Sequence, residues 1–181
     1  MTEESGISVQ RWSGRRALAD AGELKRIYAD AYAEPPYHKG PAEAERFLLR
    51  LTDQVDRPGF AFLVSCVDTL PVGFAFGRRF GEGQWWQGAE ILPPARYIEA
   101  EKYAVSELVV APAYRGRRLS SRLMAELLRE RPEPYATLLS RPGSLARTIY
   151  HHWGWRAVGT ARARPQWPAT DALVRDLRIP P

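Results

Sequence analysis

Ser106-Glu107-Leu108-Val109-Val110-Ala111-Pro112 is apolar, partly β-branched and stopped by a proline. It leads into Ala113-Tyr114-Arg115-Gly116-Arg117-Arg118-Leu119-Ser120-Ser121-Arg122. The first run predicts a strand. From Leu119 onward apolar residues fall at Leu119, Leu123, Met124, Leu127 and Leu128, the stripe of an amphipathic helix. A helix N-terminus offers unpaired N–H groups and the positive end of the macrodipole, so it attracts phosphate. Arg115, Arg117, Arg118 and Arg122 deepen that attraction. The stretch therefore predicts a seat for a pyrophosphate. The competing reading is a solvated basic loop capping an ordinary helix.

With these residues in view, the chain resembles the GCN5-related N-acetyltransferase (GNAT) superfamily. That family's acyl-CoA motif follows a strand and runs Arg/Gln-x-x-Gly-x-Gly/Ala, and Arg115-Gly116-Arg117-Arg118-Leu119-Ser120 follows it with two departures. Arg118 replaces the central glycine and Ser120 the last small residue. A second family element is matched downstream by Ala146, Tyr150 and the pair Gly154-Trp155. At position 118 a glycine would let a diphosphate approach the backbone with no Cβ in the way. An arginine keeps the seat if its φ stays helical and its side chain swings outward, where it could add a charge-assisted contact.

The resemblance implies acetyl-CoA as cosubstrate and no metal. It places the pantetheine arm along the backbone of Leu108, Val109 and Val110, and the diphosphate over Arg115, Gly116, Arg117, Arg118, Leu119, Ser120 and Ser121. It also implies a glutamate base on the strand, here Glu107, and a tyrosine acid for the departing sulfur, here Tyr150. A base is useful because primary amines are mostly protonated at neutral pH, and a phenol can donate a proton while otherwise staying protonated. Burial in a cleft would raise the Glu107 pKa towards a useful value. Read from residue type alone, Glu107 serves equally as an arginine's ion-pair partner and Tyr150 as an amphipathic core residue.

The 181 residues suit a single domain, 1–181, large enough for a sizeable core. The net charge of +5 is nearly all arginine, since Lys25, Lys39 and Lys102 are the only lysines. A basic balance suits an anionic partner. No dense basic run interleaved with aromatics occurs, so nucleic acid is disfavoured. Cys66 is alone, which excludes an internal disulfide and a thiolate metal cluster, and its apolar surroundings predict a buried small hydrophobe. Met1–Ser5 is acidic without an apolar stretch, and no segment is apolar enough to span a bilayer, so a cytoplasmic protein is expected.

Outward from the central stretch, Ile7–Trp12 predicts a strand and 17–33 one helix, broken at Glu34-Pro35-Pro36-Tyr37-His38. Pro41 suits the first turn of a helix reaching Leu51, with Phe47 and Leu48 inward. Residues 60–67 and 72–80 predict an antiparallel hairpin, and residues 81–101 a long connection. Tyr135–Leu139 predicts a strand, Ser144 a helix cap, and residues 155–161 and 172–177 a final hairpin. This order predicts a mixed α/β fold. The resemblance makes it a central sheet of six to seven strands with helices on both faces and a splayed parallel strand pair.

In that fold, Tyr37, Trp85 and Trp86 would overhang the acceptor and bind it through ring stacking or cation–π contact. Aromatics plugging the core under a long loop are the other reading. The expected reaction is direct acetyl transfer to a small-molecule primary amine, because no activated nucleophile is placed for a covalent intermediate. A protein amine or aminoacyl-tRNA as acceptor, and a non-catalytic acyl-CoA or partner-binding module, are the alternatives. A homodimer is compatible with each.

Overall fold

The computed structural model describes residues 6–179; the acidic segment Met1–Ser5 lies outside them. In chain order the elements are β1 (Ile7–Trp12), α1 (Gly14–Ala19), α2 (Ala21–Ala33), α3 (Pro41–Gln54), β2 (Ala61–Val67), β3 (Leu70–Phe80), β4 (Ala89–Ile91), α4 (Ala95–Glu99), β5 (Lys102–Val110), α5 (Leu119–Leu128), β6 (Tyr135–Ser140), α6 (Leu145–His152), β7 (Arg156–Ala161) and β8 (Thr170–Asp176). They group into two compact units, one of residues up to 78 with 107–129, the other of 79–106 with residues from 130 onward.

In the first unit, β1 pairs antiparallel with β2, and β2 with β3, as the predicted hairpin requires. The single helix expected over 17–33 is instead α1 and α2. Ser13 caps α1 by accepting from the Arg16 N–H at 3.2 Å, and Asp20 leaves the helical region at φ −95° and ψ 20°. Aspartate competes with the helix for backbone hydrogen bonds, so it suits this junction better than a helix interior. Pro41 opens α3 as expected. Leu24, Ile27 and Tyr28 of α2 and Phe47 and Leu51 of α3 are buried in one core with Trp12, Phe62, Val64, Phe74 and Phe76. The ring of Phe62 stacks within 5.5 Å of both Phe74 and Phe76, and each such burial is worth about 1.5–3 kcal/mol.

Residues of a strand alternate between its faces. Phe62, Val64 and Cys66 join that core, while Ala61, Leu63 and Ser65 on the opposite face of β2 are buried too. The helix α5 packs against β2 and buries Leu119, Leu123, Met124 and Leu127. Cys66 is the buried hydrophobe expected, and burial pushes its thiol pKa up. The second half of β5 continues into a bond from the Ala111 N–H to the Val72 carbonyl at 2.8 Å.

In the second unit, the first residues of β5 pair parallel with β6, Lys102 opposite Tyr135 through Ala104 opposite Thr137. The strand β8 pairs antiparallel with both β6 and β7, which completes the predicted terminal hairpin. The connection over 81–101 is not irregular throughout: it contains α4 and β4, and β4 pairs antiparallel with β7. Eight strands result among the described residues, where six to seven were expected. Lys102 is fully buried, and its ammonium donates to the carbonyls of Ala100, Ile98 and Gly81 at 2.7, 3.0 and 3.4 Å. Burial pushes its pKa down to about 8, against a smaller opposing pull from Glu101. No helix among the described residues is long and apolar enough to cross a membrane.

Candidate functional site

The loop between β5 and α5 is shaped by its own residues. Pro112 opens a single 3₁₀ turn, Pro112–Tyr114, closed by the Arg115 N–H on the Pro112 carbonyl at 3.2 Å. Gly116 then has φ 79° and Arg118 φ 59°, so two left-handed residues flank Arg117 immediately before α5. Alternating handedness of this kind turns successive N–H groups towards one point, an anion-binding nest. Arg118 does not keep the helical φ expected of it. It takes the left-handed conformation a glycine would take, and its side chain is exposed. Arg118 as N-cap supplies no side-chain hydrogen bond to the first turn of α5. The Ser121 hydroxyl donates to the Arg118 carbonyl at 2.8 Å. A Cβ on Gly116 would meet nothing within 4 Å, so this glycine serves the turn, and the space beside it is open.

The predicted seat residues divide by what they do. Val109 and Leu119 point into the core, and Leu108 and Val110 are half-buried. Arg115 anchors the loop to the end of α2, donating to the Ala31 carbonyl at 3.0 Å and pairing with Glu34 at 3.0 Å. The Arg117 guanidinium lies over the Tyr114 ring at 5.4 Å. Arg117 and Arg118 are exposed, and Ser120 is half-buried on the first turn of α5.

Glu107, on the same strand, has a side chain only 9% exposed. Its Oε1 accepts from the Arg50 guanidinium at 2.8 Å and its Oε2 from the Tyr32 hydroxyl at 3.1 Å. Arg50 also donates to the Tyr28 hydroxyl at 3.3 Å. Burial, then the Glu107 charge, push the Tyr28 phenol well above its ordinary range. Burial works against the Arg50 charge, but Glu107 and Tyr28 outweigh it and hold the guanidinium above its usual value. Glu107 is thus an arginine's ion-pair partner, one of the two roles expected of it. Tyr37 belongs to the same cluster, edge-on to Tyr32 with ring centroids 4.9 Å apart. Arg50 belongs to no motif, and only its place three residues after Phe47, near the buried face of α3, marks it in the sequence.

The second unit holds Tyr150, Trp85 and Trp86. Tyr150 lies half-buried on α6, which Ser144 caps by accepting from the Arg147 N–H at 3.2 Å, as its sequence position predicted. Its ring sits 5.9 Å from Trp153 and 6.1 Å from Trp155. Gly154, at φ 84°, turns the chain so that the Trp155 N–H bonds the Tyr150 carbonyl at 3.0 Å. An Arg147–Asp171 ion pair fastens α6 to β8. Trp86 donates from its indole to the Thr137 hydroxyl at 2.9 Å and packs edge-on against Phe80. Trp85 is half-buried, with the Lys102 ammonium 5.9 Å from its ring. Trp86 is thus fastened within its own unit.

Comparison with solved structures shows the same fold at low sequence identity. A GNAT-family protein from Desulfovibrio desulfuricans superposes with a TM-score of 0.67 at 16% identity, covering 95% of this chain and 99% of that one. The PaiA N-acetyltransferase of Thermoplasma acidophilum, solved with coenzyme A, gives 0.62 at 12% identity over 94% and 99% of the two chains. The yncA protein of Salmonella typhimurium, solved with its cofactor acetyl-CoA, gives 0.64 at 17% identity over 96% and 95%. No curated protein sequence matches the chain. The model of the acetyltransferase (GNAT) family matches residues 23–137, well over half the chain and the whole of the strand, loop and helix described above, and on that match the chain belongs to the acetyltransferase (GNAT) family.

Proposed function

We propose that this chain transfers an acetyl group from acetyl-CoA directly to a primary amine of a small-molecule acceptor, in the cytoplasm. One observation carries the reading: the uncapped first turn of α5, preceded by Gly116 and Arg118 in the left-handed conformation. Such a turn presents N–H groups and a positive dipole end to a diphosphate, and the space beside Gly116 is open to receive one. The coenzyme A and acetyl-CoA complexes of the Thermoplasma and Salmonella proteins, which share the fold, support the same donor.

In this reading Gly116, Arg117, Arg118, Leu119, Ser120 and Ser121 seat the diphosphate, with Arg115 holding the loop on α2. The backbone of Leu108, Val109 and Val110 pairs with the pantetheine arm. The donor supplies a thioester carbonyl. The amine nitrogen attacks the carbonyl carbon, forming C–N as C–S breaks. Glu107 takes the proton the amine gives up, and the Tyr150 phenol protonates the departing sulfur, so an amide and a free thiol result. Tyr37 contributes an aromatic face to the acceptor.

Two measurements test this together. Coenzyme A at one hundred times its Kd should raise stability by about 2.7 kcal/mol, read as a shift in Tm. A panel of amines with acetyl-CoA should then release free thiol. A pantetheine fragment lacking the diphosphate should stabilise far less than coenzyme A. Equal stabilisation by both would remove the loop from the diphosphate site, and stabilisation without thiol release from any amine would mark a binding module.

A further inference from the structure

Of the 26 basic residues only three are lysines, and one of them, Lys39, is held in an aromatic enclosure. Its ammonium lies 3.8 Å from the centroid of the Tyr32 ring, 5.3 Å from Tyr28 and 5.7 Å from Tyr37. It donates to the Tyr28 hydroxyl at 3.0 Å. The rings are differently inclined, Tyr28 to Tyr32 at 51° and Tyr32 to Tyr37 at 89°, and the charge lies against the face of Tyr32, at the hydroxyl edge of Tyr28 and near Tyr37. The backbone is bent to bring the lysine there: His38 has φ 45°, and the Lys39 N–H bonds the Tyr32 carbonyl at 2.9 Å. A planar guanidinium would not fill such a space as a compact ammonium does. Tyr32 in turn donates to Glu107, which connects the enclosure to the carboxylate assigned above as the base.

We propose that Tyr28, Tyr32 and Tyr37 form a binding cage for a primary alkylammonium group of the acceptor, filled in the free chain by Lys39 as a tethered stand-in. The Tyr32 face attracts a cation, and the Tyr28 hydroxyl accepts from it. The Tyr28 oxygen requires an N–H donor on that cation, which selects a primary ammonium over a quaternary one. A cage of this kind favours the protonated form, whereas the nitrogen that attacks the thioester must be neutral. The caged nitrogen is therefore not the reacting one, and the acceptor class is an alkyl chain carrying two amines. Lys39, Tyr32 and Tyr37 are only half-buried, so an external ammonium can reach the cage and displace the lysine. The tether acts as a competing ligand at high effective concentration and weakens the apparent affinity for any free amine. The role in the acceptor site rests on the acetyl-transfer reading; the cage itself does not.

The test is a titration of n-butylammonium, followed by NMR of the tyrosine rings, in the full chain and in Lys39→Ala. Binding should tighten about tenfold in the variant, while n-butanol and tetramethylammonium should leave the rings unperturbed. Equal affinities in the two proteins, or ring shifts as large with butanol, would overturn the cage. If Lys39→Ala does not fold, the unaltered chain decides. Its Lys39 side-chain protons should be shifted upfield by the rings and return to ordinary values at saturating butylammonium, and unshifted protons would sink the assignment. In turnover, α,ω-diaminoalkanes should exceed matched monoamines about tenfold in kcat/KM, and no preference would remove the acceptor role. Coenzyme A stabilisation measured in parallel separates the two readings, since it fails only if the diphosphate seat is wrong.

Discussion

Arg118 holds a backbone conformation suited to glycine, at φ 59° and ψ 17°, and this has separable consequences for stability and ligand binding. A side chain in the left-handed region costs about 1–2 kcal/mol, partly offset because glycine is the freer residue when unfolded. Arg118→Gly should therefore raise stability by roughly 0.5–1 kcal/mol in urea unfolding. It should also weaken coenzyme A binding by roughly two- to fivefold and flatten its salt dependence, because an exposed cation is lost from the seat. A tighter complex instead would mean the arginine obstructs the seat. Glu107 poses a different question, because Arg50 and Tyr32 already engage both its oxygens. Glu107→Gln should lower turnover about a hundredfold, and the defect should shrink as pH rises and the amine deprotonates unaided. A loss independent of pH, in a folded variant, would leave Glu107 only its structural pairing.

At the scale of elements, β5 carries the proposed donor site, and its position depends on a close approach to β3. A Cβ built on Gly73 would lie 2.7 Å from the Val109 carbonyl and 2.8 Å from the Ser65 hydroxyl. Gly73→Ala must therefore push the backbone of β5 aside, at about 1–3 kcal/mol of stability, and should weaken coenzyme A binding with it. Full affinity in a destabilised variant would separate the Leu108–Val110 backbone from the site. Other elements show where sequence patterns suffice. The α5 stripe from Leu119 and the Ser144 cap of α6 depend on spacing within a few residues, and both occur as expected. The α1–α2 break was illegible because Asp20 interrupts a stretch whose apolar spacing continues through it. The strand β4 was equally hidden: three residues are too few to show alternation, and β7, its partner, lies some seventy residues further on.

Across the whole molecule, stability should carry the signature of Lys102. Below pH 8 this lysine is charged both folded and unfolded, and the folded state bears the full penalty of burying the charge. Between about 8 and its ordinary value of 10.5 the unfolded chain holds more protons, so stability rises with pH and the gain is complete above that range. The rise amounts to roughly 3 kcal/mol at most. Urea unfolding between pH 7 and 10 should show this slope in the unaltered protein relative to Lys102→Met, and parallel curves would refute it. Lys102 also illustrates the limit of reading a chain in one dimension. Alternation, capping residues and the Gly-Arg turn are short-range properties, so the sequence alone determined the mixed α/β class, most elements and the strand-loop-helix by which the family is known. Pairings across distance were decided only by the tertiary structure: Glu107 meets Arg50 and Tyr32 across 57 and 75 residues. No local pattern encodes such meetings. Apolar burial brings the strands and helices together without naming polar partners, and each buried charge then takes whatever donor or acceptor the packing sets beside it.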